Sequence, residues 1–273
     1  MKKLLTLVIV FFLTLTLVAC SKGENLQQTE NFKIVSLAPS STEIVAALGK
    51  LENLVGVSDF CNYPEEVLSI EKVGNAFNVN FEKIVGLQPD LVLLMNEGEV
   101  ADRLRELDIQ VLILNPTTIE EIYEDILKVA EILKVEEKGQ EIVNKMKDDL
   151  KKIQKETLEE KPTVFILLDS TAFWTTGKGT FYNEVIEKSG GINIAAEETG
   201  WLEFSAEKLL ELDPDVILYT WEPSEELTSL PVWQNLTAVK EGRTYLIDGD
   251  LTSRPGPRIV EGIATIAKIL KGE

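Results

Sequence analysis

The chain has 273 residues, 44% of them hydrophobic, which is enough apolar material for one large domain or for two lobes of about 100 to 150 residues. It contains no histidine, so Ser-His-Asp and Cys-His nucleophile systems and histidine-based zinc sites cannot be assembled. A formal charge of −19 sets the surface against nucleic acid and anionic lipid, and suits a partner with a basic face.

The first element in the chain is a leader. Lys2 and Lys3 precede an apolar run over residues 4–18, and Ala19 then leads into Cys20. That order is the pattern of a secretory signal, and the run falls short of the roughly 20 apolar residues of a membrane-spanning helix. Leu17, Val18, Ala19 and Cys20 resemble the lipobox of bacterial lipoproteins, which implies a signal peptide over 1–19, cleavage before Cys20 and lipid on its thiol. The protein is then expected outside the cytoplasm, anchored to the cell membrane through its N-terminal lipid. Residues 20–31 are polar and without apolar periodicity, and read as a tether. With Cys20 lipidated, Cys61 has no disulfide partner and reads as a small buried apolar side chain.

Beyond residue 32, short apolar runs alternate with helical patterns, the signature of parallel sheets covered by helices. In the first half, strands are predicted over 33–37, 54–57, 91–95 and 111–114, with helices over 41–48, 81–87, 100–107 and 119–133. In the second half, strands are predicted over 163–168, 216–220 and 244–247, with helices over 182–189, 206–212 and 257–270. An internal repeat ties the halves together. Residues 82–93 (EKIVGLQPDLVL) align with 207–218 (EKLLELDPDVIL), each an amphipathic helix stopped by proline and followed by a buried strand. Asn80 and Ser205 stand where the helix N-caps belong. Between the halves, a charge-rich segment over 136–160 carries a narrow apolar stripe through Ile142, Val143, Met146, Leu150 and Ile153, and predicts one long helical strut. The expected organisation is a lobe over 32–135, a connecting helix over 136–160 and a lobe over 161–273.

Ligands of open parallel sheets bind beyond the carboxyl ends of the strands. The segments there carry Ser40, Phe60, Tyr63, Phe77, Phe173, Trp174, Trp221, Arg254 and Arg258, with Trp201 opening the repeated helix. Such a concentration of aromatic residues favours a broad, flat, largely apolar ligand held by a few polar groups. Thr175 to Thr180 has Gly179 where a phosphate loop needs Ser or Thr, and reads as a turn. Glu82 and Glu207 admit two readings. A carboxylate in a first helical turn is favoured by the macrodipole, by about 0.3 to 1 kcal/mol. One exposed carboxylate on each lobe would also make a two-point grip on a two-fold symmetric partner.

Taken together, residues 34–43 (IVSLAPSSTE), 55–64 (VGVSDFCNYP), 80–93 and 254–259 (RPGPRI) resemble the cobalamin-binding proteins of ABC importers, within a group that also takes ferric siderophores and haem. The resemblance runs from about residue 33 to 270. It implies an α/β fold of two Rossmann-like lobes bridged by one long helix, with little closure, no cofactor or bound metal of its own, and a corrinoid in the cleft. By position, Phe60, Tyr63 and Trp201 would pack on the corrin ring, as would Phe173 or Trp174. The aromatic expected just before Phe77 is replaced by Ala76, and Phe77 is its substitute. Glu82 and Glu207 would dock onto arginines of a permease dimer driven by its ATPase subunits. Missing histidine fits a ligand that brings its own lower axial base. A ferric-siderophore or haem receptor is the alternative, with Tyr63 available to haem, and an exported enzyme or a surface interaction protein is the remote one.

Overall fold

A computed structural model describes residues 32–75, 78–156 and 158–273. The leader, Cys20, the tether and Phe77 lie outside the described residues. In the first half, β1 (Ile34–Ser36) leads through α1 (Pro39–Ala47) to β2 (Leu54–Val57). A short hairpin of β3 (Gly74–Asn75) and β4 (Asn78–Val79) follows, then α2 (Phe81–Leu87), β5 (Leu91–Leu94), α3 (Glu99–Glu106), β6 (Gln110–Ile113) and α4 (Ile119–Ile132). The strut α5 (Glu136–Lys155) crosses to the second half. There β7 (Thr163–Leu167), β8 (Trp174–Thr176), α6 (Phe181–Lys188), β9 (Ile192–Asn193), β10 (Trp201–Glu203), α7 (Ala206–Leu212) and β11 (Val216–Tyr219) succeed one another. The chain closes through α8 (Glu225–Thr228), α9 (Pro231–Asn235), α10 (Thr237–Lys240), β12 (Thr244–Leu246), α11 (Gly249–Ser253) and α12 (Ile259–Lys271).

Each half builds one four-stranded parallel sheet, in the order β2-β1-β5-β6 and β12-β11-β7-β9. Helices cover both faces of such a sheet, which is why its central strands are continuous apolar runs rather than alternating ones. Leu91 to Leu93 and Val216 to Leu218 are accordingly fully buried.

The repeat has a physical basis at every shared position. Asn80 and Ser205 cap α2 and α7, accepting hydrogen bonds from the backbone N–H of Lys83 and Lys208, each at 3.0 Å. Ile84 and Leu209 are the buried anchors one turn in. Both helices end on a left-handed residue, Gln88 (φ 52°) and Asp213 (φ 38°), and the following proline cannot continue a helix. The aspartate after each proline then holds the start of the sheet. Asp90 accepts from Lys33 N at 2.7 Å, and Asp215 accepts from Thr163 N at 2.7 Å. Even the lysines correspond: Lys83 pairs with Glu71, and Lys208 with Glu198.

The strut buries Gly139, Val143, Met146 and Leu150. Gly139 permits its close seating, since a Cβ there would stand 2.6 Å from the Ala130 Cβ on α4. The helix ends at Lys155 rather than at the expected residue 160, and Glu156 N–H closes a tighter turn onto Ile153 O at 3.1 Å. Glu156, Glu159 and Glu160 explain the early stop, because carboxylates disfavour a helix C-terminus. One apolar core contains Ile34 and Leu91 of the first lobe, Met146 and Leu150 of the strut, and Val164, Val216 and Ile263 of the second. Glu184 of α6 adds a polar crossing, accepting from Ile119 N at the start of α4 at 2.8 Å.

Asp125 on α4 is half-buried, and its Oδ2 makes no hydrogen bond among the described residues. Burial, reinforced by Glu121 and Glu124 and opposed by Lys128, pushes its carboxyl up from 3.8 to about 6. The folded state therefore binds the extra proton between those values, so this group's contribution is most favourable below the lower value and is lost as pH rises through about 6. Asp125→Asn should stabilise the fold at about pH 7.5 by about 1 kcal/mol, a figure reduced for solvent screening, and should gain nothing at about pH 3.5. Urea unfolding at the two pH values measures the difference.

Candidate ligand cleft and its supports

The carboxyl ends of the two sheets meet at segments bearing exposed aromatic side chains. In the first lobe β2 runs into residues 58–63, where Ser58 N donates to Ser36 O at 2.9 Å and Cys61 N turns back to Ser58 O at 3.0 Å. The loop is pinned from below. Cys61 is buried with its sulfur 3.1 Å from Thr42 Oγ1, and burial pushes its thiol pKa up. Lys72 donates to the carbonyls of Ser58 and Cys61 at 3.2 and 2.7 Å. Phe60 and Tyr63 are thereby held outward, about half exposed.

In the second lobe β8 and β10 pair antiparallel, with Trp201 opposite Thr176 and Glu203 opposite Trp174. Strand alternation settles which of two neighbouring aromatics faces out. Trp174 is exposed, whereas Phe173, expected as a ligand contact, is packed in the core cluster that holds Phe165 and Phe204. Trp201 is 61% exposed, and its ring meets the Tyr182 ring edge-on at 6.3 Å. Trp221 follows β11 and is 70% exposed. Ser40 also departs from expectation. It sits in the first turn of α1, buried, with Gly256 of the other lobe laid over its backbone.

Arg254 and Arg258 close the junction between the lobes. Arg254 Nη1 donates to Glu43 Oε1 at 3.0 Å and to Asn62 Oδ1 at 2.7 Å, and its Nη2 lies 2.7 Å from Asp250. Arg258 donates through Nε and Nη2 to the two oxygens of Glu43, at 2.9 and 2.7 Å, and its guanidinium lies 3.7 Å from the Tyr63 ring centroid. The Glu43 pairing raises the Arg258 pKa above its ordinary value. Asn62 Nδ2 completes the network on Asp250 at 2.8 Å. Tyr182 of α6, which meets Trp201 edge-on, packs beside α11, the helix that leads into Arg254. Phe60, Tyr63 and Trp201 therefore flank one continuous set of contacts. Both arginines, expected to meet the ligand, are engaged by protein acceptors. Sequence reasoning missed Glu43, whose partners lie 211 and 215 residues away.

A recess of about 160 Å³ opens beside this region, lined by Leu37, Leu94, Met95 and Asn96 at the ends of β1 and β5. Among the described residues no group of three or more Asp, Glu or Cys side chains is disposed to hold a metal ion. Glu82 and Glu207 are exposed in the first turns of α2 and α7, and neither has an ion-pair partner among the described residues.

Two parallel-sheet lobes, a helical strut and an open aromatic cleft define a binding protein for a small ligand. The chain belongs to the periplasmic binding protein family, whose model matches residues 34–251. It is 38% identical over 248 residues to the uncharacterized ABC transporter substrate-binding lipoprotein YvrC of Bacillus subtilis, covering 86% of this chain and 79% of that one. It is 30% identical over 246 residues to a vitamin B12-binding protein of Vibrio cholerae, covering 88% and 89%. A possible iron-binding (periplasmic solute-binding) protein of Staphylococcus epidermidis superposes with a TM-score of 0.78 at 30% identity, covering 88% and 98%. The chain is an extracytoplasmic substrate-binding protein of an ABC importer, working with a permease and its ATPase.

Proposed function

We propose that this chain captures cobalamin or a related corrinoid in the inter-lobe cleft and delivers it to its importer, without covalent chemistry and without a cofactor of its own. The observation that carries the reading is a set of exposed aromatic side chains beside cations whose N–H donors are already engaged. Phe60, Tyr63, Trp174, Trp201 and Trp221 offer flat apolar surface. Arg254, Arg258 and Lys72 are all engaged by Glu43, Asp250, Asn62 or backbone carbonyls. A macrocycle rimmed by neutral amides suits such a surface. The carboxylates of haem or of an anionic ferric complex would find Arg254, Arg258 and Lys72 already engaged, and burying an unpaired charge is costly.

Lipid on Cys20 would hold the protein at the membrane, and Glu82 with Glu207 would present it to arginines of the permease. Calorimetric titration of the full chain in detergent with cyanocobalamin, cobinamide, haemin and a ferric hydroxamate tests the ligand. Heat and a one-to-one stoichiometry are expected with a corrinoid. No heat with either corrinoid, beside tight binding of an iron complex, would favour the iron-uptake reading suggested by the staphylococcal relative.

A further inference from the structure

Glu43 is the hidden centre of the lobe junction. Its side chain is 2% exposed, and its two oxygens take three N–H donors, from Arg254 Nη1, Arg258 Nε and Arg258 Nη2, all within 3.0 Å. Both arginines belong to the other lobe, and each passes the support on. Arg258 lies against the Tyr63 ring, 3.7 Å from its centroid, and Arg254 holds Asn62 of the same loop. The carboxylates paired directly with the two guanidinium groups are Glu43 and Asp250, each within 3.0 Å. Without the Glu43 charge, one unit of positive charge would be left uncompensated beside the cleft, in a partly buried place where its field is weakly screened.

We infer that Glu43 is a positioning residue that sets the charge preference of the cleft. It fixes Arg258 behind the Tyr63 ring and keeps both guanidinium groups from a ligand's carboxylates, so that a macrocycle with a neutral rim is taken in preference to one bearing ionised acids. The inference rests on the reading of this cleft as the ligand site. A residue that only held the fold together would weaken all ligands alike, which separates the two roles.

The test titrates the full chain in detergent with cyanocobalamin and with haemin, a porphyrin carrying two propionates. Glu43→Gln should weaken cyanocobalamin about tenfold and raise the haemin-to-cyanocobalamin affinity ratio by about tenfold or more. Adding Arg258→Gln to Glu43→Gln restores the charge balance and should return the ratio toward that of the parent chain, without restoring full affinity. If Glu43→Gln does not fold, Arg258→Gln alone, which leaves one excess negative charge, should move the ratio the opposite way. An equal loss for both ligands in Glu43→Gln, or an unmoved ratio in Arg258→Gln, overturns the role of Glu43. Binding of haemin but not of cyanocobalamin by the parent chain overturns the corrinoid proposal and with it the charge preference inferred here, and binding of neither overturns the cleft itself.

Discussion

Replacing Glu82 and Glu207 together with alanine should abolish corrinoid uptake by cells while leaving ligand affinity within about twofold of the parent chain. The two carboxylates are exposed, occupy equivalent places on the two lobes and make no ion pair among the described residues. Helix integrity does not depend on them, because Asn80 and Ser205 cap α2 and α7 and leave only the macrodipole contribution to lose, about 0.3 to 1 kcal/mol at each end. Removing one partner of a desolvated charge pair at a binding interface costs about 2 to 5 kcal/mol, so losing both should leave no productive complex with the permease. Uptake of labelled cyanocobalamin and titration of the purified variant measure the two quantities separately. Undiminished uptake would reduce both residues to helix-end charges.

Trp201→Ala should weaken corrinoid binding about thirtyfold, an effect of about 2 kcal/mol. The indole is 61% exposed yet has a fixed orientation, supported edge-on by the buried Tyr182 and carried on a strand paired to β8. A rigid aromatic surface loses little conformational entropy when a flat ligand settles on it. Trp221→Ala should have a smaller effect, since Trp221 is 70% exposed and makes no ring contact among the described residues. Titration of both variants orders the two walls, and unchanged affinity in Trp201→Ala would place the ligand elsewhere.

Much of the scaffold was legible because its signals are local. The helix-Pro-Asp-strand repeat located α2 with β5 and α7 with β11, since capping, proline termination and a buried apolar run all act within a dozen residues. The strut was legible from its apolar stripe, but its end was not, because the opposing charges that stop it lie in a stretch that still reads as helical. The two-residue strands β3, β4 and β9 and the short helices after β11 carry too few residues to show a period. Phe60, Tyr63 and Trp201 are exposed at the places their segments gave them, whereas Phe173 and Trp174 could not be told apart until the pairing of β8 with β10 was known. For Ser40, Arg254 and Arg258, what covers or engages them comes from the other lobe, at separations of more than 200 residues. Glu43 lies in the middle of α1, among buried Ser40, Ser41 and Thr42, and offers no local signal of its partners.

The core that runs unbroken beneath α5 has a consequence for traffic at the membrane. With one packed cluster shared by both lobes, little closure is expected, and Glu82 and Glu207 should keep a nearly constant spacing, like the prongs of a plug, whether or not the cleft is filled. A transporter that grips the prongs learns nothing from them about cargo. Loaded and empty carriers then compete for the same socket on equal terms, and the cargo itself has to announce its presence at the gate.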